Sequence, residues 1–328
     1  MSAVLEVKDL RTTFPLAGRR VPIVDGISFS VDAGQVLAIV GESGSGKSIT
    51  ALSVLRLVPK PGRIDGGRVL LDGKNLLEAN IPAMRRVRGH DIAMIFQEPM
   101  TSLNPVVRVG AQVMEAVLLH ERVSKAAARD RGLELFRRVG IPDPVARFDA
   151  YPHQLSGGLK QRVMIAMALV TRPRVLLADE PTTALDVTIQ AQILELMREL
   201  QRDFRTAIVL ITHDLGVVNE LADEIAVMYA GRFVERGARE AVLSQPSHPY
   251  TQGLLASMPS RNEPGKPLYE IRGVVPGPDR WPPGCRFCDR CDEAIDVCRD
   301  TVPGPVQLEP GHVAWCHVVE RARRGGAQ

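Results

Sequence analysis

Residues Gly41 to Ser48 read GESGSGKS, a complete G-x-x-x-x-G-K-S loop, preceded by the short apolar run Val36–Val40. Few local patterns leave a chain so little choice. Glycines at 41, 44 and 46 let the backbone curl so that successive N–H groups face one anion, and Lys47 to Leu55 opens a helix whose N-terminus carries partial positive charge. In such a loop Lys47 would reach the outer phosphates of a polyphosphate and the Ser48 hydroxyl would hold Mg²⁺. Strand before and helix after set it apart from a glycine-rich turn.

Length and charge bound the remaining choices. At 328 residues the chain exceeds the usual single domain, which predicts a main domain with a smaller appendage. Its 41 basic and 38 acidic residues leave +3, without the basic footprint of a nucleic-acid-binding domain, so nucleic acid is not an expected partner. The longest apolar run, Val163–Val170, falls far short of the about 18 residues that span a bilayer, which predicts a soluble, cytoplasmic chain. All five cysteines lie between 285 and 316, a clustering that suggests a local ligand site more than a disulfide framework.

Alternating apolar positions from Val4 to Gly34, punctuated by Ala17-Gly18, Asp25-Gly26 and Ala33-Gly34, predict antiparallel strands leading into the loop. Strand patterns return at Arg68–Asp72 and Ile92–Phe96. Between Val106 and Val139 the spacing of Val109, Val113, Val117, Leu133, Leu135, Phe136 and Val139 predicts a helical insert. The runs Val175–Ala178 and Ala207–Ile211 fit parallel strands covered on both faces, with helices over 188–202 and 215–222. That alternation predicts a doubly wound sheet with its ligand at the carboxyl ends of the strands. Proline and glycine crowd 245–283, as in a linker or irregular lobe, and the polar residues Arg321 to Gln328 predict a frayed end.

Asp179-Glu180 closes the Val175–Ala178 run, which places both carboxylates at the sheet edge where the phosphate loop opens. A carboxylate at 179 can hold Mg²⁺ directly or through its water shell, and one at 180 can accept a proton from a water attacking a γ-phosphate. Leu155-Ser-Gly-Gly-Leu-Lys-Gln-Arg162 sets a serine suited to N-capping and two glycines before the helix Val163–Val170. Bare backbone N–H groups there make a second positive helix end, and one chain has no evident need for two phosphate cradles. The segment resembles the signature of ABC transporter nucleotide-binding subunits, LSGGQ followed by a basic residue. Leu159 stands in place of the glutamine, and Gln161 follows two places on.

The resemblance implies an α/β fold, a P-loop ABC ATPase core whose mixed sheet carries N-terminal antiparallel strands, with an inserted helical subdomain and a small cysteine-containing C-terminal lobe. It implies ATP and Mg²⁺ as ligands. By its motifs Phe14 stacks on adenine, while Gly41, Ser43, Gly44, Ser45, Gly46, Lys47, Ser48, Ile49 and Asp179 bind the nucleotide. Ser48, Gln97 and Asp179 hold the metal. Glu180 polarises the attacking water, His213 is the switch histidine at the γ-phosphate, and Gln97, within Phe96–Pro105, couples the site to a membrane subunit. Ala184-Leu-Asp186 resembles the D-loop, with Asp186 facing a partner. Two such subunits pack head to tail, the phosphate loop of one closing on Ser156, Gly157 and Gly158 of the other, so that ATP is clasped between them.

Two later segments narrow the family. Ser247–Pro259 carries HPYT-x-x-LL and Pro283–Cys291 carries a G-C-R-F-x-x-R-C pattern, both similar to oligopeptide, dipeptide and nickel importer ATPases, with Cys288 where that family usually has histidine. The implied division is an ATPase domain over 1–238, with its helical subdomain near 98–170, and an extension over 239–328 holding the cysteine cluster 285–316. The implied partners are two transmembrane permease subunits, a second, paralogous ATPase subunit and, indirectly, an extracytoplasmic solute-binding protein, at the cytoplasmic face of the inner membrane. Thiolates two residues apart, as at 285, 288 and 291, can converge on one centre, so an iron–sulfur cluster, zinc and packed reduced thiols all suit the spacing. The resemblance matches Cys285, Cys291, Cys298 and Cys316 to a [4Fe-4S] site and leaves Cys288 outside it.

A soluble ABC-type ATPase acting on nucleic acid or ribosomes would need a long coiled-coil insert between Gln97 and Ser156, or two cassettes in one chain, and the sequence has neither. A P-loop kinase or GTPase has no use for Leu155–Arg162. The cargo leaves no trace in a subunit that never touches it.

Overall fold

The computed structural model describes residues 3–98, 102–182, 185–258, 262 and 269–325. Pro99 to Thr101 of the Gln97 segment, Ala184, Pro259 and the final residues 326–328 therefore lie outside the described residues. In chain order the elements are β1 (Leu5–Leu16), β2 (Arg19–Val31), β3 (Val36–Val40), α1 (Lys47–Val54), β4 (Arg63–Leu71), β5 (Lys74–Asn75), α2 (Ile81–Val87) and β6 (Ile92–Ile95). Then come α3 (Val109–Leu118), α4 (Lys125–Arg138), α5 (Pro144–Phe148), α6 (Gly157–Leu169), β7 (Val175–Asp179), α7 (Val187–Phe204) and β8 (Ala207–Thr212). The rest is α8 (Leu215–Leu221), β9 (Glu224–Tyr229), β10 (Arg232–Ala238), α9 (Arg239–Ser244), α10 (Pro249–Ala256), α11 (Val297–Asp300), β11 (Val306–Glu309), β12 (His312–Ala314) and α12 (His317–Gly325). They form two compact units, one of Met1–Leu5, Ser30–Val36 and Leu70–Ile211, the other of Glu6–Phe29, Leu37–Val69 and Thr212–Gln328. No helix among the described residues is long and apolar enough to cross a membrane.

In the first unit β6, β7 and β8 pair in parallel, Ile92 opposite Val175 and Val175 opposite Ala207. Every residue of β7 and β8 is buried, which is why the two segments read as continuous apolar runs. The helical insert holds α3 and α4 and also the short α5, which the apolar spacing did not announce. Phe148, at the end of α5, explains why it belongs there: the ring is buried and lies 5.1 Å from that of Phe136. Gly110 and Gly132 leave it room, and a methyl group on Gly110 would overlap the ring. Gly110→Ala is therefore expected to cost about 1–3 kcal/mol of stability by overpacking, read as a lower urea midpoint. An unchanged midpoint would mean that α5 shifts freely.

In the second unit β1 and β2 form a hairpin around Ala17-Gly18, with φ of 49° and 77°. Asp25-Gly26 does not make the expected turn. It lies inside β2, where Gly26 takes φ 72° and the strand bends without ending. The Asp25 carboxylate, which in a turn would take local N–H groups, is instead claimed by Arg11, Arg232 and Arg286. A second sheet in this unit runs β11-β12-β10-β9-β3 and is mixed, since β3 pairs with β9 in parallel and the other neighbours are antiparallel.

Part of 245–283 is more ordered than a linker. Proline at the first helical position needs no N–H partner, and Pro249 takes that place in α10, where His248 Nδ1 accepts the Tyr250 N–H at 3.0 Å. Glu235 in β10, fully buried, accepts the backbone N–H groups of Ser247 and His248 at 2.8 and 2.9 Å and pairs with His312 Nε2 at 2.8 Å. Burial holds the His248 imidazole down at about 3, so it stays neutral. Tyr250 then packs 4.7 Å from the Tyr229 ring and 5.3 Å from that of Phe287. Arg321 to Gly325, expected to fray, continue α12, a helix without a buried residue.

Candidate nucleotide site

The phosphate loop takes the shape its glycines predict. Gly41, Gly44 and Gly46 adopt φ of 152°, 79° and 105°, and a side chain at Gly41 would strike the Met228 carbonyl oxygen. Only glycine lets β3 turn into the loop so close to β9. Lys47 is buried, its ammonium donating to Gly41 O at 2.7 Å, Glu42 O at 2.9 Å and Ser45 Oγ at 3.4 Å. These carbonyls stand in for the phosphate oxygens that the ammonium would reach. Ser45 is buried, Ser48 and Ile49 are half-buried, and Ser43 and Gly44 are exposed. Phe14, in β1, is half-buried with its ring against Gly62, where an added methyl would overlap it. His213 is exposed between Thr212 and Asp214, and Asp214 caps α8 by accepting the Gly216 N–H at 2.8 Å.

The first unit gathers the carboxylates. Ile95 of β6 stands opposite Ala178 of β7, so Gln97 and Glu180, each two residues further on, leave the same carboxyl edge of adjacent parallel strands. Asp179 is buried and Glu180 half-buried. Glu180 takes φ 48°, an uncommon conformation for a residue with a side chain, and its N–H donates to Ile211 O at 2.8 Å. Gln97 is exposed.

Ser156 caps α6, its Oγ accepting the Leu159 N–H at 3.4 Å. Gly157 is exposed, and a methyl group added there would meet nothing within 4 Å. The chain itself gives no packing reason for glycine at that position. Asp186 caps α7, accepting the Ile189 N–H at 3.0 Å, and is exposed. Gln161 contributes something the motif did not predict: it is buried, and its Nε2 donates to Pro181 O at 2.8 Å, tying α6 to the segment just past Glu180. In the sequence Gln161 stands between Lys160 and Arg162, and nothing there signals that tie.

Residues 24–183 match the ABC transporter family, and residues 234–298 match the oligopeptide/dipeptide transporter C-terminal region. A probable peptide ABC transporter ATP-binding protein of Sinorhizobium fredii is 51% identical over 95% of this chain and 94% of its own. The chain belongs to the ABC transporter ATP-binding proteins. Dipeptide transport ATP-binding proteins of Bacillus subtilis and Escherichia coli are each 49% identical, over 96% of this chain and 95% and 96% of theirs. The dimeric, post-hydrolysis structure of the ATP-binding cassette MJ0796 with ADP and Pi matches 72% of this chain and 98% of that one at a TM-score of 0.66 and 25% identity. This ABC protein is accordingly an ATP-hydrolysing enzyme of the α/β P-loop class. The likeness supports neither action on nucleic acid nor action on ribosomes.

The cysteines of this ABC protein bring no support to a metal or cluster. Among the described residues no three His, Cys, Asp or Glu side chains gather to hold a metal ion, so the iron–sulfur and zinc readings find no ligand set. Cys288, Cys298 and Cys316 are buried and Cys285 and Cys291 half-buried. Burial pushes the Cys285 thiol up to about 12 and that of Cys291 to about 11, and the neighbouring Cys298 and Cys316 push both the same way.

Proposed function

We propose that this protein energises a di- or oligopeptide importer from the cytoplasmic face of the inner membrane. In this reading residues 1–238 form the ATPase part, with a helical subdomain near 98–170, and 239–328 form the extension. Two transmembrane permease subunits, a second and paralogous ATPase subunit and an extracytoplasmic solute-binding protein complete the system. Supporting it is near-half identity, along almost the whole chain, to relatives named for peptide and dipeptide transport, together with the oligopeptide/dipeptide C-terminal region.

The proposed roles follow the chemistry of each group. Lys47 and the backbone N–H groups of Gly41 to Ile49 hold the phosphates, and Phe14 stacks on adenine. The Ser48 hydroxyl, the Gln97 amide oxygen and the Asp179 carboxylate are hard oxygen donors of the kind Mg²⁺ takes. Bound with ATP, that ion neutralises charge on the phosphates. Glu180 accepts the proton of the attacking water, while His213 and Gln97 orient the reacting groups. Ser156, Gly157 and Gly158 close on the nucleotide of the other subunit, beside Asp186.

Gly157 carries this reading. It is an exposed glycine outside the left-handed region with open space around its α-carbon, so neither its backbone nor packing within the chain calls for glycine, whereas a nucleotide closing on it from another subunit would. Gly157→Ala is expected to unfold at the parent's temperature yet to lose at least about tenfold in ATP-driven peptide uptake by vesicles holding the assembled transporter, as a misplaced contact does. Uptake at the parent's rate would overturn the reading.

A further inference from the structure

Both C-terminal segments that mark the family converge on one residue of the phosphate loop. Glu42, the first variable position of Gly41–Ser48, donates its backbone N–H to the Tyr250 hydroxyl at 2.8 Å. Its carboxylate takes Arg290 Nη1 at 2.9 and 3.2 Å. Arg290 sits between Cys288 and Cys291, with its side chain only 8% exposed. Its remaining donors are already fixed, Nε on Arg272 O at 2.7 Å and Nη2 on Gly273 O at 3.2 Å, so the guanidinium is aimed before it meets Glu42. Tyr250 is held just as firmly by the rings of Tyr229 and Phe287. On the loop's other side the Glu42 carbonyl accepts the Lys47 ammonium at 2.9 Å. The extension thus grips Glu42 by side chain and amide, and Gly41 O, in the same peptide unit as that amide N–H, takes the Lys47 ammonium at 2.7 Å.

We infer that Tyr250 and Arg290 are positioning residues for ATP, through which the C-terminal extension pre-shapes the phosphate loop by way of Glu42. This rests on the reading of Gly41–Ser48 as the ATP site. A loop with three glycines at positive φ has many conformations to lose when it closes on a polyphosphate. Ordering it in advance removes that cost from binding, so the effect appears in affinity more than in turnover. A mostly buried arginine–carboxylate pair suits the task because its hydrogen bonds are charge-assisted and directional, and lysine would keep the charge but lose the planar fork. Coupling is reciprocal: if the lobe steadies the loop, ATP must steady the lobe.

The test measures ATP affinity of the full-length chain by calorimetry. Tyr250→Phe and Arg290→Met are each expected to weaken ATP about tenfold, as loss of a hydrogen bond to a charged or held group does, with kcat of the assembled transporter at saturating ATP retained. Arg290→Lys should recover part of the loss, and adding Glu42→Gln to Arg290→Met should weaken binding no further. Iodoacetamide labelling of Cys291 should slow when ATP is added to the parent and not when it is added to Arg290→Met. Should Arg290→Met fail to fold, Tyr250→Phe and Arg290→Lys carry the same comparison. Parent-like affinity in these variants, with Lys47→Ala losing ATP, would overturn the positioning role and leave the ATP site standing. Parent-like affinity in Lys47→Ala would overturn the ATP site itself.

Discussion

Glu180→Gln is expected to cut steady-state phosphate release by the assembled transporter about 10²- to 10⁴-fold, the usual contribution of a positioned general base, while ATP still binds. Glutamine keeps the size and backbone demands of the position and removes only the ability to take a proton. Those demands are specific here, because residue 180 holds φ 48° at the end of β7 with its N–H on Ile211 O. Such a conformation is uncommon for a residue with a side chain and tends to persist where function uses it. With hydrolysis stalled and ATP retained, the variant should accumulate as a nucleotide-clasped dimer, visible by size-exclusion chromatography with ATP. Phosphate release near the parent's rate would assign the proton to another group.

Asp25→Ala is expected to destabilise the chain by about 3–5 kcal/mol, the cost of breaking a buried ion pair from one side. The Asp25 side chain is 4% exposed and meets Arg286 at 2.5 Å, Arg232 at 2.7 Å and Arg11 at 2.9 Å. Arg286 is itself only 9% exposed, so the substitution strands a guanidinium away from water. Burial pushes the Asp25 carboxyl up, but Arg286, Arg232 and Arg11 together hold it below its ordinary value of 3.8. With the folded-state pKa below the unfolded one, the stabilisation is full above about pH 4 and is lost as pH falls through the folded value. Urea unfolding of parent and variant should therefore differ most near neutral pH and converge in acid. A difference that stays constant down to pH 2 would point to lost packing instead of lost charge.

The site was legible wherever its chemistry is local. Glycine is favoured where φ is positive, a serine suits the position before a helix, and a continuous apolar run is best covered on both faces. Gly46, Ser156 and β7 follow from these constraints alone, whereas the Asp186 cap of α7 was found only in the structure. The run Ile225–Tyr229 of β9 carries the same continuous apolar signal as Val175–Ala178, so that strand was within reach of periodicity; its place beside β3 was not. The spacing of Cys285, Cys288 and Cys291 left a cluster, zinc and packed thiols all open, because spacing fixes only how near thiols lie along the chain and the geometry of their sulfurs depends on the backbone between them.

By itself the sequence determined the phosphate loop, the capped signature helix and the buried parallel strands, because each is set by residues within a few positions of one another. Tertiary structure alone decided that Asp25 closes an ion pair with Arg286, 261 positions away, and that Arg290 reaches Glu42 across 248. It also turned HPYT, within a stretch that reads as a linker or irregular lobe, into a buried helix start whose Tyr250 hydroxyl meets the Glu42 N–H. Partners so distant are chosen by which strands and helices pack side by side, and no local pattern records that choice.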